Sequence, residues 1–271
     1  MKRPVRTRTV TGIVSLLILT FLAGCGGKDA GSDDGSLKKI QDAGELVVGL
    51  DENYPPMGFH DASGEITGFD IDLAKEVCDR LGVKLVPHPV NWDDKEKELN
   101  EGNIDCIWNG LSANPSRSAS MNLSQSYIKN DIIVVVRGNS GIKSIDDLKG
   151  LKAGVQTGSS AEEAVAGSGD YSEIEIESSD DNVELFERLD EGILDAVIMD
   201  SIFAYYYIGE HDGDYYVLPS IIETEEMAIA FRKGEDALKN AVWDTLKKMK
   251  EDGSMAEISE KWFGSDVTIV R

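Results

Sequence analysis

From residue 46 onward the chain alternates short apolar runs with longer segments whose apolar positions recur every three or four residues. Residues 46–50 are one such run. Residues 70–81 then put Ile71, Ala74, Val77, Cys78 and Leu81 on one helical face, and 84–86 resume an extended pattern, so the spacing predicts a β-α-β unit. A helix over 95–100 and a strand over 104–108 follow. The second half repeats the alternation, with strand 152–155, a helix from Ser159, strand 173–176, helix 182–190 and strand 196–199. This order predicts mainly parallel sheets covered by helices on both faces, with any ligand at the carboxyl ends of the strands.

The chain also contains a partial copy of itself. Leu99-Asn100-Glu101-Gly102-Asn103-Ile104-Asp105-Cys106-Ile107 and Leu189-Asp190-Glu191-Gly192-Ile193-Leu194-Asp195-Ala196-Val197 share Leu-x-Glu-Gly-x-(Ile/Leu)-Asp-x-(Ile/Val). Each reads as a Gly-ended helix turning into a buried strand, because Gly tolerates the left-handed conformation that ends a helix. Two α/β lobes of similar build are implied. Two extended runs, 131–136 and 227–231, fit neither copy and are read as crossing strands. The tail then has a helix over 235–251, with Leu238, Val242, Leu246 and Met249 on one stripe and Asp252-Gly253 ending it, and a second over 255–263. The expected division is lobe one over 37–130 and 226–271, and lobe two over 131–225.

The first residues carry an address. Lys2, Arg3, Arg6 and Arg8 precede an apolar run over 10–23 that is too short for a spanning helix, which needs ~20 residues, so 1–24 read as a secretory signal. Leu22-Ala23-Gly24-Cys25 resembles the bacterial lipoprotein box. That resemblance implies that Cys25 carries fatty acyl chains, palmitate-like, and holds the domain on the outer face of the plasma membrane, two chains sufficing for stable anchoring. The alternative is an ordinary signal with an incidental Cys. Residues 25–36 hold no large apolar side chain and read as a flexible tether, with the folded part starting near Leu37.

Charge narrows the partners. The chain has 27 basic and 50 acidic residues, and removing the leader's four basic residues leaves −27 on the remainder. Such a field repels phosphate backbones, so nucleic acid is excluded as a natural partner. His60, His88 and His211 lie far apart, and no Cys or His spacing suits a metal. Cys78 and Cys106 are left as a disulfide pair or as two small buried hydrophobes.

Five segments in register carry a resemblance: Gly49-Leu50-Asp51-Glu52-Asn53-Tyr54-Pro55-Pro56-Met57; Gly68-Phe69-Asp70-Ile71-Asp72-Leu73-Ala74; Asn109-Gly110-Leu111-Ser112 with Arg117; Gly154-Val155-Gln156-Thr157-Gly158-Ser159-Ser160; and Lys261-Trp262-Phe263-Gly264. Together they resemble the polar amino-acid solute-binding proteins of ABC importers, from about residue 46 to 264. The resemblance implies a two-lobed periplasmic-binding-protein-like fold of type II, two mainly parallel sheets joined by two crossing hinge strands. It implies a monomeric receptor, without cofactor or enzymatic activity, that closes on a free amino acid outside the cell and presents it to a membrane permease.

A free amino acid offers a carboxylate, an ammonium and a side chain, and a selective site must pair all three once water leaves. Arg117 suits the carboxylate, since its planar fork makes two parallel charge-assisted bonds; otherwise it is an exposed loop arginine. Ser159 and Ser160 open a helix whose free N–H groups favour an anion, and one of them also suits an N-cap. Gly110 and Ser112 add a carbonyl for the ammonium and a hydroxyl for the carboxylate. By resemblance Asp200, at the end of an apolar strand, holds the ammonium; its other reading is an N-cap for a helix beginning at Ser201. Asp51 matches the family's acid for side-chain donors, which favours amide or cationic ligands. Tyr54 and Trp92 match the rings that sandwich the ligand, with core packing as the rival for Trp92. Trp108 reads as core. Gln156 and Met199 stand where glutamine receptors carry Lys and His, so glutamine selectivity does not transfer.

Two rival classes remain. A cyclohexadienyl dehydratase on the same fold needs a general acid poised in the cleft, and no Ser-His-Asp order, paired acid/base carboxylates or Gly-rich phosphate loop stands out. An amino-acid sensor without transport is expected to carry a fused kinase or hydrolase domain, whereas this chain ends seven residues after Gly264.

Overall fold

A computed structural model describes Met1 and residues 34–271; the expected signal, Cys25 and most of the expected tether lie outside the described residues. The first elements are α1 (Ser36–Ala43), β1 (Glu45–Leu50), the small antiparallel sheet of β2 (Asn53–Tyr54), β3 (Gly58–His60) and β4 (Ile66–Thr67), then α2 (Phe69–Leu81), β5 (Lys84–Pro89), α3 (Lys95–Glu101), β6 (Cys106–Ile107), α4 (Pro115–Ser120) and β7 (Asn122–Leu123). Next come β8 (Ile128–Arg137), β9 (Lys152–Gln156), α5 (Ser160–Gly167), β10 (Glu175–Ser179), α6 (Asn182–Asp190), β11 (Ala196–Asp200), α7 (Ser201–Glu210), β12 (Tyr215–Val217) and β13 (Glu223–Met227). The chain closes with β14 (Ala230–Phe231), α8 (Asp236–Asp252) and α9 (Ser254–Phe263).

Two larger sheets result, in the orders β5-β1-β6-β14-β7 and β10-β9-β11-β8-β12, with β13 also paired to β8. In each, three strands run parallel and the crossing strand joins antiparallel. This is the type II arrangement expected. The strand expected over 104–108 shortens to β6, and the run expected over 227–231 breaks between β13 and β14.

The internal copy has a physical basis. Gly102 and Gly192, at φ 83° and 76°, turn the chain out of α3 and α6. The Asp that follows then pins the start of each central strand: Asp105 Oδ2 accepts the Val47 N–H at 3.0 Å, and Asp195 Oδ2 accepts that of Lys152 at 3.0 Å. A matching arginine ends each crossing strand. Arg137 Nη1 donates to the carbonyls of Leu189 and Leu194, and Arg232 Nη1 to those of Leu99 and Ile104. Each guanidinium thus ties a helix-end carbonyl, which also accepts the N–H of Gly192 or Gly102, to a second carbonyl just before the strand.

Two boundaries differ from expectation. The last three residues expected in the tether are folded: Asp34 Oδ2 accepts the Ala237 N–H at 2.8 Å, and Ser36 Oγ that of Leu238 at 2.9 Å. They cap the first turn of α8, whose N–H groups have no partner inside the helix. The passages between the sheets fall at residues 124–127 and 228–229 rather than at 131 and 226, since β8 already pairs with β13 from Ile128 onward. There the two chains bond each other, Ser124 N–H to Ile229 carbonyl at 2.8 Å and Tyr127 N–H to Met227 carbonyl at 2.9 Å.

Cys78 and Cys106 are free and buried in the core with Leu73, Val77 and Trp108. Burial pushes the Cys78 thiol up to about 12 and raises Cys106 as well. Of the two readings, small buried hydrophobes is the one observed.

Arg137→Ala and Arg232→Ala should each cost about 1–3 kcal/mol, because each strands one partly buried carbonyl, that of Leu194 or Ile104. Urea unfolding measures it; loss from only one variant means the two lobes are not held alike.

Candidate functional site

Four strands end at one gap. Asp51 follows β1, Asn109 and Gly110 follow β6, Gln156 closes β9 and Asp200 closes β11, so both parallel sheets aim their carboxyl ends at each other. Every residue expected at a ligand lines this narrow gap: Asp51, Tyr54, Trp92, Gly110, Ser112 and Arg117 on one wall, Gln156, Ser159, Ser160 and Asp200 on the other, with Asn109 in addition.

The walls bond one another across the gap. Gln156 Nε2 donates to Asp51 Oδ2 at 2.6 Å, and the Ser112 and Ser160 hydroxyl oxygens stand 3.0 Å apart. Tyr54 donates its hydroxyl to Asp200 Oδ2, while its ring stacks on Phe203 at 5.5 Å. The Tyr54 ring also explains Gly110, since a Cβ there would lie 2.9 Å from Cε1, on a backbone already at φ 61°.

Arg117 is no exposed loop residue; only 2% of it meets solvent. Its guanidinium donates to the Ser112 carbonyl at 3.1 Å and, across the gap, to the Gly158 carbonyl at 3.2 Å, with Glu163 3.4 Å away. Ser159 is the N-cap of α5, accepting the Glu162 N–H at 3.1 Å, and it faces the cavity as well. Asp200 occupies the N-cap position of α7 but makes no capping bond; its carboxylate turns inward to Tyr54 and to the Asn130 amide. Trp92 does both things at issue, packing against Leu99 and Ile104 while lining the cavity. Trp108 is wholly core.

Besides Asn109, four residues escaped the sequence reading. Lys95, 4% exposed, donates to the Trp92 carbonyl at 2.8 Å and to the Gly158 carbonyl at 2.9 Å. Glu225 accepts the Ser112 and Ser160 hydroxyls and the Asn130 amide. Asn130 in turn joins Glu225 to Asp200. Asp70, fully buried beneath the site, accepts the Gly110 N–H and the Tyr127 hydroxyl, both at 2.8 Å, and so fixes the loop that carries Gly110. Lys95 and Glu225 sit in charged runs that read as solvated surface. Asn130 had a signal: it falls on the inward side of an alternating strand, between Ile128 and Ile132.

Electrostatics follows burial. Loss of water pushes Asp51 up to about 6 and Asp70 up to about 7, against the hydrogen bonds each accepts. Burial and then the facing Glu225 carboxylate raise Asp200. Lys95 is pushed down to about 8, first by burial and then by Arg117.

The model for bacterial extracellular solute-binding proteins, family 3, matches residues 46–265. The chain belongs to that family. It is 32% identical to the L-cystine-binding protein TcyJ of Escherichia coli, over 94% of this chain and 96% of that one. A Streptococcus pneumoniae ABC uptake transporter substrate-binding protein, solved with bound histidine, superposes with a TM-score of 0.85 at 33% identity, covering 87% of this chain and 98% of that one. An ancestral amino acid-binding protein described as a precursor of cyclohexadienyl dehydratase gives 0.78 at 34%, covering 84% and 99%.

For this solute-binding protein the buried acids set a pH trend. Asp51 and Asp70 titrate higher in the folded state, which therefore holds protons that the unfolded chain has released, and stability falls as pH rises from 5 through about 7. Lys95 acts the other way only near and above about 8. Thermal melting of the ligand-free protein should drop across pH 5–8, and Asp70→Asn should flatten that slope; a rising or flat parent profile contradicts the assignment.

Proposed function

We propose that this protein captures a free amino acid with an amide or cationic side chain between its lobes and delivers it to the permease of an ABC importer, working as a monomer held at the outer face of the plasma membrane through lipid on Cys25. One observation carries the reading: a buried guanidinium, Arg117, and a half-buried carboxylate, Asp200, both face the same inter-sheet gap, so the two poles of a zwitterion have opposite partners there. Gln156 and Asp51 form a third polar point and suit donors on the ligand's side chain. Acids gather at that end, with Asp180 and Asp181 joined to Asn91 and Asn53 across the mouth, which disfavours an anionic side chain.

In this mechanism the ligand carboxylate takes Arg117 and the hydroxyl and N–H groups around Ser112, Ser159 and Ser160, while its ammonium takes Asp200 and the Gly110 carbonyl. Closure is rotation about residues 124–127 and 228–229, driven by the ligand's preference for the closed form. Gly158 then links the lobes through Arg117 and Lys95. Receptor function is favoured over catalysis because the cleft residues are committed to polar pairing, and a dehydratase would consume its substrate where a receptor returns it intact.

Melting of the purified protein against the twenty amino acids and cystine tests the reading. A ligand present at about 100 times its dissociation constant adds about 2.7 kcal/mol. Arg117→Ala and Asp200→Asn should each weaken binding by about 2–5 kcal/mol, measured by calorimetry, because each leaves a buried charge unpaired. A flat melting response across the panel, or full affinity in Arg117→Ala, refutes the proposal.

A further inference from the structure

We propose that Glu225 is a second carboxylate for the ligand's ammonium, paired with Asp200, and that loading the cleft expels a proton which these two carboxyls share while it is empty. This rests on the amino-acid reading above.

The geometry is specific. Asp200 closes β11 and Glu225 lies on β13, yet both accept from the same Asn130 amide nitrogen, Glu225 Oε1 at 2.9 Å. Asp200 Oδ2 takes the Tyr54 hydroxyl from β2; Glu225 Oε1 takes the Ser112 hydroxyl after β6 and the Ser160 hydroxyl of α5, the latter at 3.3 Å. Among the described residues no cation is hydrogen-bonded to either carboxylate. The nearby cations turn elsewhere: Arg117 to the Ser112 and Gly158 carbonyls and Glu163, Lys95 to the Trp92 and Gly158 carbonyls.

Two half-buried carboxylates that share one amide donor, with only neutral groups bonded to them, repel when both are ionised, and one proton held between them removes that repulsion. The upward push on Asp200 from burial and from Glu225 agrees with that. An incoming ammonium brings one positive charge and three N–H donors to a pair carrying one negative charge and one proton. Both carboxyls then ionise and the proton leaves to solvent, so charge balances. Glu225 bonds Ser112, which is bridged to Met227 of β13 at the hinge, and Ser160 of α5, so it sits at the root of the gap where the two walls join. A seat of two carboxylates and a hydroxyl prefers a primary ammonium over an N-alkylated or α-hydroxy analogue.

Calorimetric titration of the purified protein with L-arginine, L-histidine, L-glutamine and L-cystine, in phosphate and in Tris at pH 7, counts the protons released. The parent should release about one proton per site for each probe that binds. Glu225→Gln should bind about tenfold or more weakly and release less than half as much, whereas Glu225→Asp, which keeps the carboxyl, should restore release; circular dichroism confirms that both variants fold. Unchanged affinity and proton count in Glu225→Gln overturn the proposal. Tighter binding overturns it too, since Glu225 would then be an internal competitor for the ligand's carboxylate sites. Carbon-13 carboxyl NMR of the ligand-free protein separates the two readings: a shared proton at pH 7 supports the pair whether or not a probe binds, and two ordinary carboxylates there refute it. If that proton is present and no probe binds the parent, the receptor reading falls and takes the ammonium role with it.

Discussion

Charge drawn out of water must be met by charge or by dipoles, and the gap between the two sheets is built on that constraint. Arg117, Lys95 and Asp51 lie there with less than a tenth of their surface exposed, and Asp200 is half-buried. Cations and anions are kept apart. Arg117 and Lys95 are met chiefly by carbonyls, while Asp51, Asp200 and Glu225 are met by amides and hydroxyls. Dipoles make burial tolerable without cancelling the charge, and the strongest remaining partner for each pole is a molecule carrying the opposite one. A site wired into internal salt bridges would have no such appetite.

The scaffold that holds these groups is one design used twice. In each lobe a Gly ends the helix, the Asp three residues later ties the start of the central strand, and an Arg from the crossing strand satisfies the carbonyls at the junction. Because β1, β6, β9 and β11 are registered by the same device, their carboxyl ends arrive at corresponding heights on the two walls. Asp51 meets Gln156, and Tyr54 meets Asp200, as a result.

Most of this was legible in the chain. The β-α-β alternation, the Leu-x-Glu-Gly copy and the polar residues ending apolar runs each express a strong local constraint: helical period, a left-handed Gly, a strand terminus. What the sequence hid is equally physical. The tether's end at Asp34 depends on α8 more than two hundred residues away, and no local pattern reports who caps whom. Lys95 belongs to a run of charges that looks solvated, and only the approach of Gly158 from the other lobe buries it. Glu225 is masked in the same way by its acidic neighbours. Asn130, Arg137 and Arg232 were readable in principle, the first from strand alternation and the arginines from their matching places after the apolar crossing runs.

The hinge makes the acid pair part of the moving body. Residues 124–127 and 228–229 are bonded to each other, so the two passages twist as a ribbon while the β8–β13 ladder beyond them stays registered. Asn130 and Glu225 are direct partners in that ladder, and Asp200 ends the next strand of the same sheet. The three therefore travel together with the second lobe, whereas Arg117 and Tyr54 stay with the first and Ser112 lies at the hinge, bridged to Met227. Opening separates Tyr54 from Asp200 and lets water reach the acids; closing removes that water and forces the carboxylates onto whatever lies between the walls. An ammonium there is stabilised by closure, and an empty gap must find a proton instead. The same few bonds thus couple the presence of a cationic centre to the angle between the lobes.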